Sequence, residues 1–401
     1  MSLFLHGHAT HPDGRMALAL AAAQVDAQRA AAGTAAPTLG WLYLTEHYAG
    51  EAAQVLADAR LRWPGVAWVG ATGVGVCASG VEYFDEPGLV LMLAALPAED
   101  FRVFSGTRPL ADFDAATAQV HADGATADLP ELIAEMAART RTGYLFGGLA
   151  SGRQRNHHIA HDVLEGGLSG VAFRSAVSML SRVTQGCQPV GPVRTVTRAE
   201  RNLALTLDGE PALDCLLTDL DFAALDPQQA LPMLRETLVG LSDARADALS
   251  RHGQFGTQTR VRHIIGFDPA RRGLALADAV NTGMQLAFCH RDIESARRDL
   301  VRICAEIRDE LEPETMPLAT ALALRGSVDE GAPHPARGIA GAVYVSCSGR
   351  GGPHFGGPSA ELAIVRHALG DVPLAGFFAG GEIARHHVYG YTGVLTVFAA
   401  R

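Results

Sequence analysis

Residues 144–152 read Tyr-Leu-Phe-Gly-Gly-Leu-Ala-Ser-Gly, and residues 372–382 read Val-Pro-Leu-Ala-Gly-Phe-Phe-Ala-Gly-Gly-Glu. Each is a short apolar run of strand character that ends in clustered glycine. Each is followed by a polar stretch and then by another apolar run, Gly166–Phe173 in the first case and Tyr391–Phe398 in the second. A third copy of the plan runs from Val66–Gly70 through Gly70-Ala71-Thr72-Gly73 to Gly88–Ala95. This recurrence indicates internal duplication. Glycine at such corners lets the backbone turn with positive φ and lets a ligand or a neighbouring chain come close.

Helical signals lie between these strands. Asp13 is placed to cap a helix from Met16 to about Ala32 that Gly33 ends. Thr38–Leu44 reads as a buried strand, and a helix from about Gly50 to Arg62 follows, with Ala53, Leu56, Ala57 and Leu61 on one side. Leu234, Leu238 and Leu241 are spaced for a helix over 231–249. Asp292 caps a helix from Ile293 to Leu311, whose positions Ile293, Ala296, Leu300, Cys304, Ile307 and Leu311 form one apolar stripe. Ile339–Val345 reads as a strand and Ser359–Leu369 as a helix. Strands as numerous as helices, with several local hairpins, predict an α+β fold. The expected organisation is two pseudo-related halves, 1–225 and 226–401, each with mixed or antiparallel sheets covered by helices.

Composition narrows the function. The 401-residue chain carries 33 basic and 43 acidic side chains, a net charge of −10, and every basic one is arginine. Schiff-base chemistry and a lysine-dependent phosphate loop are thereby excluded. The acidic balance argues against a nucleic-acid partner. The six cysteines form no Cys-x-x-Cys pair, so buried free thiols in a reducing compartment are expected. No run of eighteen apolar residues occurs, and the alanine-rich stretch after Met16 reads as a helix and not as a signal peptide. A cytoplasmic protein without a membrane partner is the expectation.

No nucleophile elbow, zinc-protease helix or Walker loop is present, so no enzymatic activity is expected. Gly70-x-x-Gly73-x-Gly75 has the wrong spacing for a dinucleotide loop. Three clusters carry chemistry. His157, His158 and His161, with Asp162, could bind a metal or a haem iron, or form a solvent-facing polar hairpin. In a strand, His157 and His161 would share a face and His158 would point away. His386 and His387 form a second such pair. In Ser346-Cys347-Ser348-Gly349-Arg350-Gly351, the Arg350 fork suits a carboxylate or phosphate, and Cys347 is a reactive thiol if Arg350 activates it. Glu382, directly after Gly380-Gly381, is placed to receive a ligand amine or to pair with Arg350.

At these residues the chain resembles a known family. Val280-Asn281-Thr282-Gly283-Met284, the block Tyr344–Gly351, Pro373–Phe378 and Gly381-Glu382-Ile383 resemble the FIST C domain, of the F-box and intracellular signal transduction proteins. Gly70-Ala71-Thr72, Phe146-Gly147-Gly148-Leu149-Ala150 and Glu165–Val171 resemble the FIST N domain. The resemblance implies a sensory module for a small intracellular ligand, with amino-acid-like ligands proposed. It further implies a signalling partner such as a histidine kinase or a cyclic-dinucleotide enzyme. Some members are similar to haem-binding nitric-oxide sensors, but no cofactor is expected here with an assigned ligand. No F-box, kinase or receptor segment accompanies the two halves, so output is expected through a separate partner. The expected ligand-binding set is Arg350, Glu382, Cys347, Gly349, Gly351, Gly381, Gly147 and Gly148. A haem-based gas sensor using one of the histidines, and an enzyme using Cys347 and Glu382, are the alternatives.

Overall fold

The computed structural model describes residues 4–32, 35–153, 155–222, 233–234, 236–243, 250–251, 254–255, 259–312 and 338–399. It divides into two compact units: Met1–Thr184 with Leu300–Val388 and Thr392–Arg401, and Gln185–Asp299 with Tyr389–Tyr391. The units do not follow the expected division into 1–225 and 226–401. The first draws on both ends of the chain, because strands from the C-terminal third complete sheets begun in the N-terminal half.

The first unit repeats one plan three times. In the first copy, Leu39–Thr45 and Ala67–Gly73 pair in parallel, with helix Ala52–Arg62 between them in the chain, and Leu89–Ala94 adds antiparallel to Leu39–Thr45. The second copy sets Thr117–Asp123 parallel to Leu145–Ala150 around helix Leu129–Ala138 and closes with Leu168–Phe173. The third sets Ile339–Cys347 parallel to Leu374–Ala379 around helix Ala360–Leu369 and closes with Thr392–Ala399. These are the three stretches whose glycine-rich plan recurs in the sequence, and two of them lie in the N-terminal half.

Each copy also gives a hairpin strand to another copy. Gly75–Ala78 leaves the first and pairs with Leu374–Ala379 of the third. His158–Ala160 leaves the second and pairs with Ala67–Gly73 of the first. Glu382–Arg385 leaves the third and pairs with Leu145–Ala150 of the second. The exchange ties three sheets together through backbone hydrogen bonds.

Alternation along the strands sorts side chains between two environments. Leu42, Leu44, Leu91 and Ile159 face outward and pack with Ala17, Ala21 and Val25 of helix Gly14–Ala32 and with Val55, Leu56 and Ala59 of helix Ala52–Arg62. Asp13 caps the longer helix, its Oδ1 accepting from the Arg15 and Met16 amides at 2.9 and 3.0 Å. Leu61 and Ile293, expected on buried stripes, are 82% and 40% exposed. The alternate set, Trp41, Tyr43, Gln119 and His121, is fully buried. Trp41 Nε1 donates to Gln119 Oε1 (2.6 Å), Gln119 Nε2 to the Tyr43 hydroxyl (2.7 Å), and that hydroxyl meets His121 Nε2 at 3.1 Å. Tyr43 stacks on Phe377 with centroids 5.1 Å apart. Burial drives the His121 imidazole down to about 3, so it stays neutral in this network.

The expected glycine corners begin inside strands. Gly70, Gly147 and Gly376 occupy equivalent positions, opposite Leu42, Val120 and Tyr344 of the parallel neighbour and opposite Ile159, Ile383 and Cys77 of the exchanged hairpins. A Cβ at each would lie 1.9, 1.9 and 1.8 Å from the carbonyl oxygen of Leu42, Val120 and Tyr344. Only hydrogen fits there.

The second unit is built on an antiparallel ladder. Leu238–Ser242 pairs with both Arg260–Asp268 and Gln285–Arg291, which closes the ladder on itself. Helix Ala212–Asp219 contributes Ala212, Cys215 and Leu216 to its core. The helix expected over 231–249 does not extend past its start: Met233, Leu234 and Glu236 are helical, Leu238–Ser242 is a fully buried strand, and most of the rest lies outside the described residues. The α+β class with mixed and antiparallel sheets holds. The described cysteines are all buried and free, and no helix among the described residues is long and apolar enough to cross a membrane.

Replacing Gly70, Gly147 or Gly376 by alanine should lower stability by at least about 3 kcal/mol, because the methyl collides with backbone that cannot move away. Gly50→Ala, whose Cβ would meet open space, should stay within about 0.5 kcal/mol of wild type. Urea unfolding midpoints measure both.

Candidate functional site

Strand Ile339–Cys347 ends in a turn that Arg350 N closes on Cys347 O at 2.8 Å. This turn carries Arg350 back under helix Ala360–Leu369, where it is 1% exposed. Its Nε and Nη2 donate to Glu361 Oε1 at 2.9 and 2.7 Å. The Tyr344 hydroxyl donates to the same oxygen (2.7 Å), and Ser346 Oγ donates to Oε2 (2.9 Å). The guanidinium also lies over the Phe355 ring, 5.0 Å from its centroid. Burial works against the arginine's charge, but the Glu361 carboxylate beside it more than compensates and holds it above its ordinary value. The expected Arg350–Glu382 pair is therefore not formed, and Glu361 takes the guanidinium. A buried charge needs a close counterion, and the first turn of the following helix supplies it.

Glu382 approaches from the exchanged hairpin, paired with Gly148, and is fully buried. Its Oε2 accepts from the Thr392 amide (3.1 Å) and hydroxyl (2.7 Å). Burial pushes its carboxyl up to about 8, against the Thr392 donors, the Arg350 charge and the Cys347 thiol, which all favour ionisation. Glu382 is thus mostly a neutral acid near pH 7. Glu82, from the hairpin that the first copy gives away, completes the cluster. Burial pushes it up to about 7 despite the Leu362 amide that donates to its Oε1, and the Glu361 carboxylate adds to the rise.

The glycines make this convergence sterically possible. A Cβ on Gly148 would lie 2.7 Å from Val345 and 2.8 Å from Ala379, and one on Gly351 would lie 2.0 Å from the Phe84 ring. Leu149 N donates to Gly381 O at 2.8 Å. Gly147, Gly148, Gly381, Glu382, Cys347 and Arg350 are thus gathered in one buried region, with Gly349 and Gly351 in the adjoining turn. Two polar atoms in it, Arg350 Nη1 and Glu382 Oε1, have no hydrogen-bond partner among the described residues.

Tyr344, Ser346, Glu361, Glu82 and Thr392 escaped the sequence reading. One signal was available: Tyr344-x-Ser346 puts two hydroxyls on one face of a strand, and Glu361 opens the next helix. Glu82 arrives from the first copy and Thr392 from the closing strand of the third, and spacing does not announce them.

The histidines are held apart from this cluster. His157 and His158 are 6% and 1% exposed, so the expected solvent-facing hairpin is corrected. His158 Nδ1 meets Ser169 Oγ at 2.6 Å and its Nε2 meets Gly166 O at 2.8 Å, while His157 Nε2 meets Glu165 at 2.8 Å. His161 sits in a left-handed turn with φ of 62°, which ends the alternation expected to align it with His157. His386 is exposed, its ring 3.9 Å from that of His387. A haem ligand needs a ring nitrogen free to reach the iron from an enclosed pocket. His158, with both ring nitrogens engaged, and His386, in an exposed hairpin position, do not fit one, whereas His157 keeps a buried Nδ1 with no hydrogen-bond partner among the described residues. Among the described residues no group of three or more His, Cys, Asp or Glu is arranged to hold a metal ion.

Comparison with known proteins finds two family domains in succession along the chain. The FIST N domain matches residues 38–210 and the FIST C domain matches 212–385. Uncharacterised proteins of Mycobacterium bovis and of Mycobacterium tuberculosis strain CDC 1551 are each 29% identical to the chain, over 98% of its length and 97% of theirs. An uncharacterised protein of Mycobacterium tuberculosis strain H37Rv is 28% identical, over 98% of both.

Two stability effects are expected. Glu361→Ala strands the buried guanidinium and should cost about 3–5 kcal/mol in urea unfolding, with Glu361→Gln costing less because the amide oxygen still accepts. For Glu382, the unfolded carboxyl ionises near its ordinary 4.5 while the folded one keeps its proton to about 8. The folded state binds more protons across that window, so stability falls as pH rises through it and levels off above. Glu382→Gln should remove this slope, matching wild type near about pH 5 and exceeding it near about pH 8.5.

Proposed function

The chain belongs to the FIST family, whose domains are associated with sensory roles in signal transduction, and from that premise we propose that it is a non-enzymatic sensor of a small amino-acid-like ligand. The ligand sits in the buried region of Arg350 and Glu382, beside Cys347, Gly349, Gly351, Gly381, Gly147 and Gly148. The output passes to a separate signalling protein of the histidine-kinase or cyclic-dinucleotide class.

One observation carries this reading. Arg350 Nη1 and Glu382 Oε1 are both buried and both lack a partner among the described residues. Buried polar groups are ordinarily hydrogen-bonded, because an unmet donor or acceptor costs about 1–3 kcal/mol. An arginine donor and a carboxyl oxygen left unmet in one region suit the carboxylate and ammonium of a zwitterion. Glu361 fixes the rest of the Arg350 fork and so directs the one remaining amino group. Glu382, mostly neutral before binding, ionises when it meets the ammonium.

The location supplies a route to signalling. Glu382 lies on the strand exchanged from the third copy to the second, so a ligand held there bears on the joint between two sheets. Signalling requires unequal affinity for two arrangements of that joint, and not merely tight binding.

A panel of free amino acids screened by melting temperature should contain a stabilising ligand. Titration calorimetry with that ligand in two buffers of different ionisation enthalpy, at pH 7, should show release of most of one proton. Glu382→Gln should bind more weakly and release none. If no zwitterion shifts the melting temperature and native mass spectrometry finds no co-purifying small molecule, the reading fails.

A further inference from the structure

Away from the charged cluster, the first unit contains a cavity of about 340 Å³ beside strands Leu145–Ala150 and Thr392–Ala399. That volume falls within the roughly 300–1,000 Å³ of small-molecule sites. Its apolar wall includes Phe146, Val177 and Met179. Thr117 and Thr142, whose hydroxyls donate to the Tyr144 and Ala116 carbonyls at 2.6 and 2.7 Å, also line it, and the rest of its polar part is Tyr144, Ser181 and Thr396. The hydroxyls of these last three form a chain: Tyr144 donates to Ser181 Oγ at 3.0 Å, and Ser181 Oγ lies 2.9 Å from Thr396 Oγ1. Two bonds use two of the three hydroxyl protons. One proton and the lone pairs of the Tyr144 oxygen remain to meet an occupant, as donor or acceptor.

Charge defines the occupant further. None of the described side chains lining the cavity is ionisable at neutral pH. The charges that reach Tyr144 are Arg385 and Arg182, which disfavour a cation. Arg182 is itself held by Glu306 and Glu310, and so is not available to an anion. A cation entering this space would lose hydration without gaining a counterion, and an anion would find only Arg385, which does not line the cavity. A wholly apolar molecule would leave the hydroxyl chain facing it unmet.

We propose that this cavity is a binding site for a small uncharged molecule: an aromatic or branched apolar body bearing one hydroxyl or carbonyl group. It is a second site, distinct from that of Arg350 and Glu382, and stands whether or not a zwitterion binds there.

Benzyl alcohol is a suitable probe of the full chain, with toluene, benzoate and benzylamine for comparison, read by saturation-transfer NMR and by titration. Benzyl alcohol should bind saturably. Toluene should bind roughly tenfold more weakly, because it cannot use the hydroxyl chain. The two ions should not bind. Ser181→Ala should weaken benzyl alcohol and leave toluene unchanged. Val177→Trp, at a half-exposed position, should fill the cavity and abolish binding of both. Absence of saturable benzyl alcohol binding overturns the proposal, as does equal binding of the ions. Equal loss of alcohol and toluene in Ser181→Ala removes the hydroxyl chain from the site. If Val177→Trp does not fold, the contrast between the two probes in Ser181→Ala still decides the matter.

Discussion

Three backbone contacts hold the first unit together. At Gly70, Gly147 and Gly376 a strand passes so near its parallel neighbour that no side chain fits, and at the same three positions a strand from another copy adds on the opposite edge. Each middle strand is thereby paired on both sides, once with its own copy and once with another. A sheet edge that would otherwise present unpaired amides and carbonyls is covered. No copy completes its sheet alone, so the three repeats form one cooperative unit in place of three small domains.

The same exchange places the charged groups. Glu382 and Glu82 both ride on strands given away by their own copies, and both finish near the Arg350–Glu361 pair. Four ionisable side chains from distant parts of the chain therefore share one dry region. Burial sets their states. Glu361 balances Arg350 at close range with four donors in all. Glu382, without a full counterion, is neutral over most of the physiological range. A region whose ionisation is decided by what lies beside Glu382 is sensitive to a ligand in a way that a solvated surface cluster is not.

The strand Thr392–Ala399 runs past both the charged cluster and the uncharged cavity of the first unit. Thr392 holds Glu382, and Thr396, four residues on and therefore of the same strand parity, lines the uncharged cavity. The two differ in chemistry, one built around a guanidinium and carboxyls, the other around neutral hydroxyls.

Local pattern was informative where local physics decides. Asp13 and Asp292 mark helix starts because their carboxylates accept from the amides of the next turn. The runs at Leu89–Ala94 and Leu374–Ala379 are apolar throughout because both faces are covered. The three-fold recurrence of strand and glycine was visible as well, and so were Arg350, Cys347 and Glu382 as chemically unusual residues beside glycines. Pattern misled at Leu238 and Leu241, where spacing from Leu234 suggests a continuing helix but a closed antiparallel ladder claims Leu238–Ser242. It was silent on which carboxylate meets Arg350. That choice rests on the crossover that lays the helix beginning at Ala360 over Tyr344 and Ser346, and on a hairpin exchange that delivers Glu382 to a different sheet. Local propensity and alternation are written in neighbouring residues and can be read in order. Pairings between strands hundreds of residues apart depend on burial and hydrogen bonding that exist only once the chain has folded.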